Sequence, residues 1–462
     1  MKKVWRLRKI KLVEENVSDE RFLEYARGLS QFSPSLILLS GSDHDSALYS
    51  IACWNPYHVI ASQRRSNLIK EENIYTRQDG NPLDYLDLLM ESFSVTYPQE
   101  IPPFTGGAVG YIAYEAKNVI EKLPQKARDD LFLPDLYFFF PQEMLIHHRK
   151  TGELFYVAVS PSSEQFIEKV ELFAKDSPGT VEHRVYGWQS NFSREDYIRA
   201  VQRILAYIRD GHVYQVNLSQ RYSFNYEGDL FELFVKLYKK NPAPFYAFLN
   251  AESYSIVCTS MERFLFLRNG VIETRPIKGT RPRGKTPEED AALISDLLSH
   301  PKDDAELSMI VDLLRNDLGK ICRPGSVYVA EHKRIESYQN VHHLISIVRG
   351  EINDDVSYGK IFKATFPGGS ITGCPKIRSM EIIDELEPNV RHVYTGSIGY
   401  LGFHGNMDTN IAIRTMIAVN RGSYCKCFLS VGGGVVYDSD PELEYEETLH
   451  KGRTFFELLQ RI

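Results

Sequence analysis

Alternating and short unbroken apolar runs dominate the first third of the chain. They predict strands over residues 35–39, 48–54, 57–61, 136–140, 144–148 and 153–159. The basic opening segment, residues 1–12, also nearly alternates and reads as a strand, not as the apolar core of a signal peptide. Apolar positions recurring at three and four residues predict helices over 19–28, 82–92 and 163–176. A polar stretch at 175–187, with the turn signal Ser177-Pro178-Gly179, is the natural linker. Beyond it a helix is predicted over 193–210, with Ser193 as N-cap and Glu195 in the first turn. The second half predicts helices at 230–240, 287–299, 304–318, 358–364 and 375–386, and late strands at 396–403, 407–419 and 424–436. No regular strand–helix–strand repeat joins them, which favours a mixed α+β fold over a doubly wound sheet.

Composition narrows the class. At 462 residues the chain has room for a large core. Charged residues at 25% suit a globular protein, and a net charge of −7 argues against general nucleic-acid binding, which needs a basic face. The six cysteines show no CxxC spacing, so neither a disulfide framework nor a zinc site is expected. No stretch has the length and apolarity of a membrane span. A cytoplasmic protein is the expectation.

Several features break the structural patterns. Phe366-Pro367-Gly368-Gly369-Ser370-Ile371-Thr372-Gly373-Cys374-Pro375-Lys376 places glycines before a helix that opens near Pro375. Such a segment is either a tight turn or a backbone cradle for an anion. It is no Walker A loop, because Cys374 follows Gly373 where Lys-Ser/Thr is needed. Glu306 lies in the helix predicted over 304–318, and Glu444 and Glu447 share a face of a C-terminal helix. These are either solvated acidic faces or, where two helices converge, ligands for Mg²⁺. After the helix-ending Gly211, Gln215, Asn217 and Ser219 share one strand face, which if buried needs a ligand or polar partners. Arg414, a lone charge in an apolar strand, pairs with either a buried carboxylate or a substrate carboxylate. His343 is a core histidine or a site donor. Lys278 stands where a β-branched strand pattern gives way to Gly279-Thr280, as an exposed turn cation or a nucleophile. Glu262 is its proton partner or a carboxylate at a helix start.

In combination these motifs are specific. Gln215-Val216-Asn217-Leu218, Ser260-Met261-Glu262-Arg263-Phe264, Pro276-Ile277-Lys278-Gly279-Thr280, the segment Asp312–Asp317, Val341-His342-His343-Leu344, the Gly368–Lys376 loop, Gly396-Ser397-Ile398-Gly399-Tyr400, Gly432-Gly433-Gly434 and Glu444-Tyr445-Glu446-Glu447-Thr448 together resemble the chorismate-utilising enzymes. The resemblance covers roughly residues 190–460. Upstream, Phe104-Thr105-Gly106-Gly107-Ala108-Val109-Gly110-Tyr111 resembles the N-terminal region shared by anthranilate synthase and aminodeoxychorismate synthase large subunits. The implied fold is two large antiparallel β-sheets packed as a sandwich with helices outside. Residues 1–180 would form an N-terminal lobe and 190–462 the chorismate-binding catalytic region.

Two positions sort the relatives. Isochorismate and salicylate synthases carry a water-activating lysine where this chain has Gln215, so water attack at C2 is not expected. Anthranilate synthases carry a small residue where this chain has Lys278; lysine there marks the branch that aminates chorismate at C4 for p-aminobenzoate and folate. The alternatives are anthranilate synthase component I and a catalytically inactive chorismate-binding relative. The resemblance implies that neutral Lys278 attacks C2 as the C4 hydroxyl departs, after which ammonia attacks C4 and expels the lysine. Such a lysine needs a lowered pKa. Glu262 is the implied acid/base. Mg²⁺ on Glu306, Glu444 and Glu447 would take the ring carboxylate and Arg414 the enolpyruvyl carboxylate. Gly369, Ser370, Gly432, Gly433, Gly434 and Lys451 would form an anion-binding wall, with His343 near C4 and Thr280 and Thr395 flanking the ring.

No Gly-x-Cys-x-Gly nucleophile elbow is present, so ammonia is expected from a separate glutamine amidotransferase subunit or from solution. The chain also departs from its relatives. Met261 replaces the proline of a Ser-Pro-Glu-Arg element, and Leu38-Leu39-Ser40-Gly41 replaces the Leu-Leu-Glu-Ser element that serves tryptophan feedback. Feedback by tryptophan is therefore not expected, while a tryptophan held structurally in the N-terminal lobe stays open.

Overall fold

Two long antiparallel strands, Tyr49–Gln63 and Leu136–His148, form the spine of the molecule. The computed structural model describes residues 3–4, 6–71, 74–94, 102–160, 173–175 and 182–459. Each spine strand replaces two shorter predicted ones. Asn55, at φ 54°, and a register shift at Pro56 bend the first without ending it, so one strand serves two sheets. Its first half pairs with Ser35–Leu39 and its second half with Ser66–Glu71.

From this spine two sheets diverge, and all their pairings are antiparallel. One runs Arg184–Ser190, Gln215–Glu227, Cys425–Val436, Thr415–Asn420, Tyr254–Ser260, Phe245–Asn250 and Ser35–Leu39 to the spine. Beyond the spine come Glu153–Ser160 and Arg6–Glu14. The other sheet runs Tyr328–Ser337, Val341–Glu351, then Val271–Thr274 and Ile277–Pro282 end to end along one edge of that strand. It continues through Arg263–Arg268, Met407–Asn410, Ser397–Gly402 and Gly107–Ile112 to the spine, ending in Ser66–Glu71 and Ile74–Asp79.

Alternation along each strand sorts side chains to two faces. Leu36, Ile51 and Cys53 join Val109, Ile256 and Leu265 in a core that draws on both sheets. Ile37, Leu39 and Val257 face the opposite way, against Phe22, Phe231, Phe234 and Phe455 of outer helices. Helices predicted at 82–92 and 287–299 are found as Pro82–Ser92 and Pro287–Ser299. Ser193 caps Arg194–Arg209 by accepting from the Asp196 amide. Most of the predicted helix 163–176 and of the linker 175–187 lies outside the described residues. Among the described residues no helix is long and apolar enough to cross a membrane.

Three expectations need correction. The strand predicted over 407–419 is two strands, Met407–Asn410 and Thr415–Asn420, because the chain changes sheets between them. In the break Ile411 N donates to Glu262 O and Ala412 N to Gly396 O, and Arg414 sits at φ 50°. Arg414 is therefore a corner residue rather than a strand residue. Pro375 is the N-cap of Lys376–Leu386 and not its first residue; Gly373–Cys374 pairs with Gln215–Val216 before the helix starts. Lys278 lies inside the strand Ile277–Pro282, not at a strand end.

Candidate active site

The chain crosses from one sheet to the other twice at adjacent corners. One crossing is at Met261–Glu262 and the other at residues 411–414. The corners open into a cleft of about 1190 Å³, walled by the helices Pro301–Gly319 and Pro441–Leu458 and by the strand Ile277–Pro282. Local sequence explains the strand's shape. Gly279, at φ 75°, is an extra residue in the pairing with Val341–Glu351, so Lys278 opposes Leu344 while Thr280 opposes His343. A Cβ on Gly279 would meet Leu297 at 2.9 Å and Asp303 at 3.0 Å. The bulge re-aims the strand so that both Lys278 and Thr280 line the cleft.

Lys278 is largely enclosed, and Glu306 Oε2 stands 4.0 Å from its Nζ. Burial pushes its pKa down and Lys451 adds to this, against the pull of Glu306 and Glu262. Glu262 is buried and accepts a 2.5 Å hydrogen bond from Ser370 Oγ. Burial pushes it up to about 7, against Ser370, Lys278 and Lys451. The amine is thus drawn toward its neutral form and the carboxyl toward its protonated form. That pairing suits a nucleophile beside a proton donor.

His343 Nδ1 hydrogen-bonds Thr280 Oγ1 at 2.9 Å, while its Nε2 is buried without a partner. Burial and the neighbouring Arg414 push this imidazole down to about 3, so it is neutral at physiological pH. Arg414 is anchored at its corner by its carbonyl, which accepts from Thr259 N at 3.1 Å and Oγ1 at 3.2 Å. Its guanidinium lines the cleft, with the tyrosines Tyr246 and Tyr338 as its electrostatic neighbours in place of a carboxylate.

The glycine triplet exists because of crowding. A Cβ on Gly432 would meet Leu218 O at 2.6 Å, and one on Gly434 would meet Gln215 Nε2 at 2.7 Å and Lys278 Nζ at 3.4 Å. The corresponding point on Gly433 lies 3.2 Å from Glu444 Oε2 and 3.4 Å from Glu447 Oε1, so the two carboxylates face a common space. Ser439 Oγ donates to Glu444 Oε1 at 2.5 Å, and Glu444 Oε2 is buried without a partner. Burial pushes Glu444 up and Glu447 adds to this, whereas the Lys451 ammonium, 2.5 Å from Glu447 Oε1, helps hold the half-exposed Glu447 down against its partial desolvation. Among the described residues no three His, Cys, Asp or Glu side chains stand together as a preformed metal cluster. A buried carboxylate oxygen without a partner beside a second carboxylate nevertheless fits a hard dication that takes one or two carboxylates and fills its shell with water and substrate.

Twelve of the predicted residues line the cleft: Lys278, Glu262, Thr280, His343, Ser370, Arg414, Gly432, Gly434, Lys451, Glu306, Glu444 and Glu447. Four stand behind that lining. Gln215 backs Gly434 with both amide atoms buried and unpartnered, Gly433 backs the carboxylate pair, and Gly369 packs on Leu313. Thr395 is fully buried, and its hydroxyl donates to Tyr394 O and accepts from Arg391; Tyr394 lines the cleft in its place. Sequence reasoning missed Tyr394, Ser439 and the buried pair Arg391–Glu387, since nothing local distinguishes them from ordinary loop and helix-end residues. A second cavity, of about 200 Å³, lies among Leu38, Ser40, Tyr49, Phe245 and Tyr400, beside Glu273 and the three arginines that bind it, Arg263, Arg275 and Arg349.

The chain is similar to known proteins over most of its length. Residues 35–457 match the chorismate binding enzymes. The chain is 38% identical to "Aminodeoxychorismate synthase component 1" of Escherichia coli over 442 residues, covering 95% of this chain and 96% of that one. It is 37% identical to "Anthranilate synthase component 1" of Acetivibrio thermocellus, covering 90% and 87%. The crystal structure of anthranilate synthase component I from Streptococcus pneumoniae superposes with a TM-score of 0.77 at 31% identity, covering 89% of this chain and 93% of that one. On a match spanning nearly its whole length and both sheets, the chain belongs to the family of chorismate binding enzymes.

Proposed function

We propose that the protein converts chorismate and ammonia into 4-amino-4-deoxychorismate through a covalent adduct on Lys278. The observation that carries this reading is a lysine pulled toward neutrality inside the cleft, beside a carboxyl held at about 7. The Lys278 amine attacks C2, the ring double bonds shift, and the C4–O bond breaks as Glu262 protonates the departing hydroxyl to water. Ammonia then attacks C4, the double bonds shift back, and the C2–N bond breaks. Lys278 leaves with the proton returned by way of Glu262. Arg414, Lys451 and the Ser370 turn would hold the substrate's carboxylates. Glu444 and Glu447, with Glu306 from the facing helix, would hold Mg²⁺, which supplies charge neutralisation for the ring carboxylate when bound. His343, neutral and hydrogen-bonded to Thr280, would contact the C4 side.

The relatives' designation "component 1" supports a second subunit, and we assign it the role of ammonia donor, a glutamine amidotransferase. A tryptophan is the candidate occupant of the 200 Å³ cavity. The deciding experiment incubates purified protein with chorismate, Mg²⁺ and ammonium and identifies products by chromatography and mass. The expected product is 4-amino-4-deoxychorismate. Anthranilate with pyruvate would move the chain to the 2-aminating activity, and binding without turnover would make it an inactive relative.

A further inference from the structure

We infer that Arg391, fixed by Glu387, is a positioning residue for the proton donor Glu262, acting through the Gly369–Ile371 turn. This rests on the reading of Glu262 as the acid/base. The Arg391 guanidinium is fully enclosed and its donors are all engaged. Nε and Nη2 donate to Glu387 at 2.9 and 2.6 Å, Nη2 to Asn217 O at 2.7 Å, and Nη1 to Ile371 O at 3.0 Å and Thr395 Oγ1 at 3.3 Å. Glu387 in turn accepts from Ser219 N and Oγ, both at 2.8 Å. One buried ion pair therefore ties the strand Gln215–Glu227 to the turn Gly369–Ile371.

Removing either charge leaves the other buried and unpaired, so the pair persists only where its geometry is kept. Its geometry bears on the cleft. Asn217 and Ile371, whose carbonyls it grips, both line the cleft, and Ser370, beside Ile371, donates the 2.5 Å hydrogen bond to Glu262. A lysine at 391 would keep the charge and lose the fork that reaches two carbonyls at once. The turn would then relax and the Ser370–Glu262 bond lengthen. Glu262 is faced by Lys278 from the strand Ile277–Pro282, by Lys451 from the helix Pro441–Leu458, by the Ser370 hydroxyl and by the backbone of Ile277. Ser370 alone in that set depends on Arg391 for its place.

The test follows adduct formation on the intact full-length protein with chorismate and Mg²⁺, without ammonia, as a function of pH. Arg391→Lys should slow it roughly 10- to 100-fold, in line with a small misplacement of a catalytic group. It should also move the basic limb to higher pH, as Ser370→Ala should. The double variant should move the limb no further than Ser370→Ala does, because both act through one bond. Glu387→Gln should displace the limb in the same direction and serves if Arg391→Lys fails to fold. An unmoved limb in Arg391→Lys or Glu387→Gln, or additive displacement in the double variant, would overturn the inference. Should Glu262→Gln keep the limb intact, the acid/base reading itself fails, and this inference with it.

Discussion

At the residue scale the proposed chemistry turns on Lys278 and Glu262, and enclosure shapes both. Desolvation disfavours charge on each, which shifts the pair toward neutral amine with protonated acid and away from ammonium with carboxylate. Adduct formation needs the first of these states. Loss of the Glu262 proton, held at about 7, and protonation of Lys278 each lower its rate, so the rate is expected to pass through a maximum with pH. His343, held near 3, contributes no limb in the range usual for histidine. Stopped reactions analysed by intact mass across pH give the profile, and Glu262→Gln should lower the rate about 10²- to 10⁴-fold and erase the basic limb. Lys278→Ala should abolish both adduct and amination while leaving Mg²⁺-dependent chorismate binding measurable by calorimetry. A covalent adduct on that variant would remove Lys278 as the nucleophile.

At the scale of elements, the bulge at Gly279 and the sheet-crossing corners do the positioning. Gly279 is required twice over, by its left-handed backbone and by the approach of Leu297 and Asp303. Gly279→Ala should destabilise the protein by roughly 1–2 kcal/mol from the backbone alone, read as a lowered midpoint in urea. It should also depress amination more than chorismate binding, because the side chains on either side of it are re-aimed. The helices and strands were largely legible from spacing, caps and alternation, as Ser193 and the Pro82 and Pro287 helix starts show. Arg414 reads as a strand residue in the sequence because Ile411-Ala412-Ile413 is apolar throughout, and apolar runs do not reveal a change of sheet. The bulge was likewise hidden, since a lone glycine fits a turn as well as it fits an extra residue in a ladder.

At the scale of the molecule, the first third and the rest share both sheets. Ser35–Leu39 pairs with Phe245–Asn250, and Gly107–Ile112 with Ser397–Gly402. A buried charge cluster joins them further. Glu273 accepts from Arg263, Arg275 and Arg349, and Arg275 in turn grips Asp45 of the N-terminal third. Glu273→Gln leaves three guanidinium groups around an uncharged amide and should destabilise the fold by about 3–5 kcal/mol, seen as a lowered melting temperature. The arginines together hold Glu273 below its ordinary value of 4.5 despite burial. A depressed carboxylate contributes stability that is complete above the unfolded value and is lost as pH falls through the folded one. Wild-type protein should therefore lose this contribution progressively below about pH 4.5, and Glu273→Gln should show a flatter acid dependence of its melting temperature.

The sequence by itself determined the α+β class, nearly every helix, and the residue types of the site, because periodicity and side-chain chemistry are local properties. Its motif order was enough to identify the family, and Lys278 and Gln215 carry the expected choice among its chemistries. Only the tertiary structure decided which of those residues meet. Whether Lys278 is a surface cation or an enclosed amine depends on what two distant helices do to its solvent. Whether Glu444 and Glu447 point apart or toward a common space depends on how closely the Gly433 backbone approaches. The ion pair of Arg391 and Glu387 was invisible for the same reason: its partners Asn217 and Ile371 lie far away in sequence, and only folding brings those carbonyls to one guanidinium.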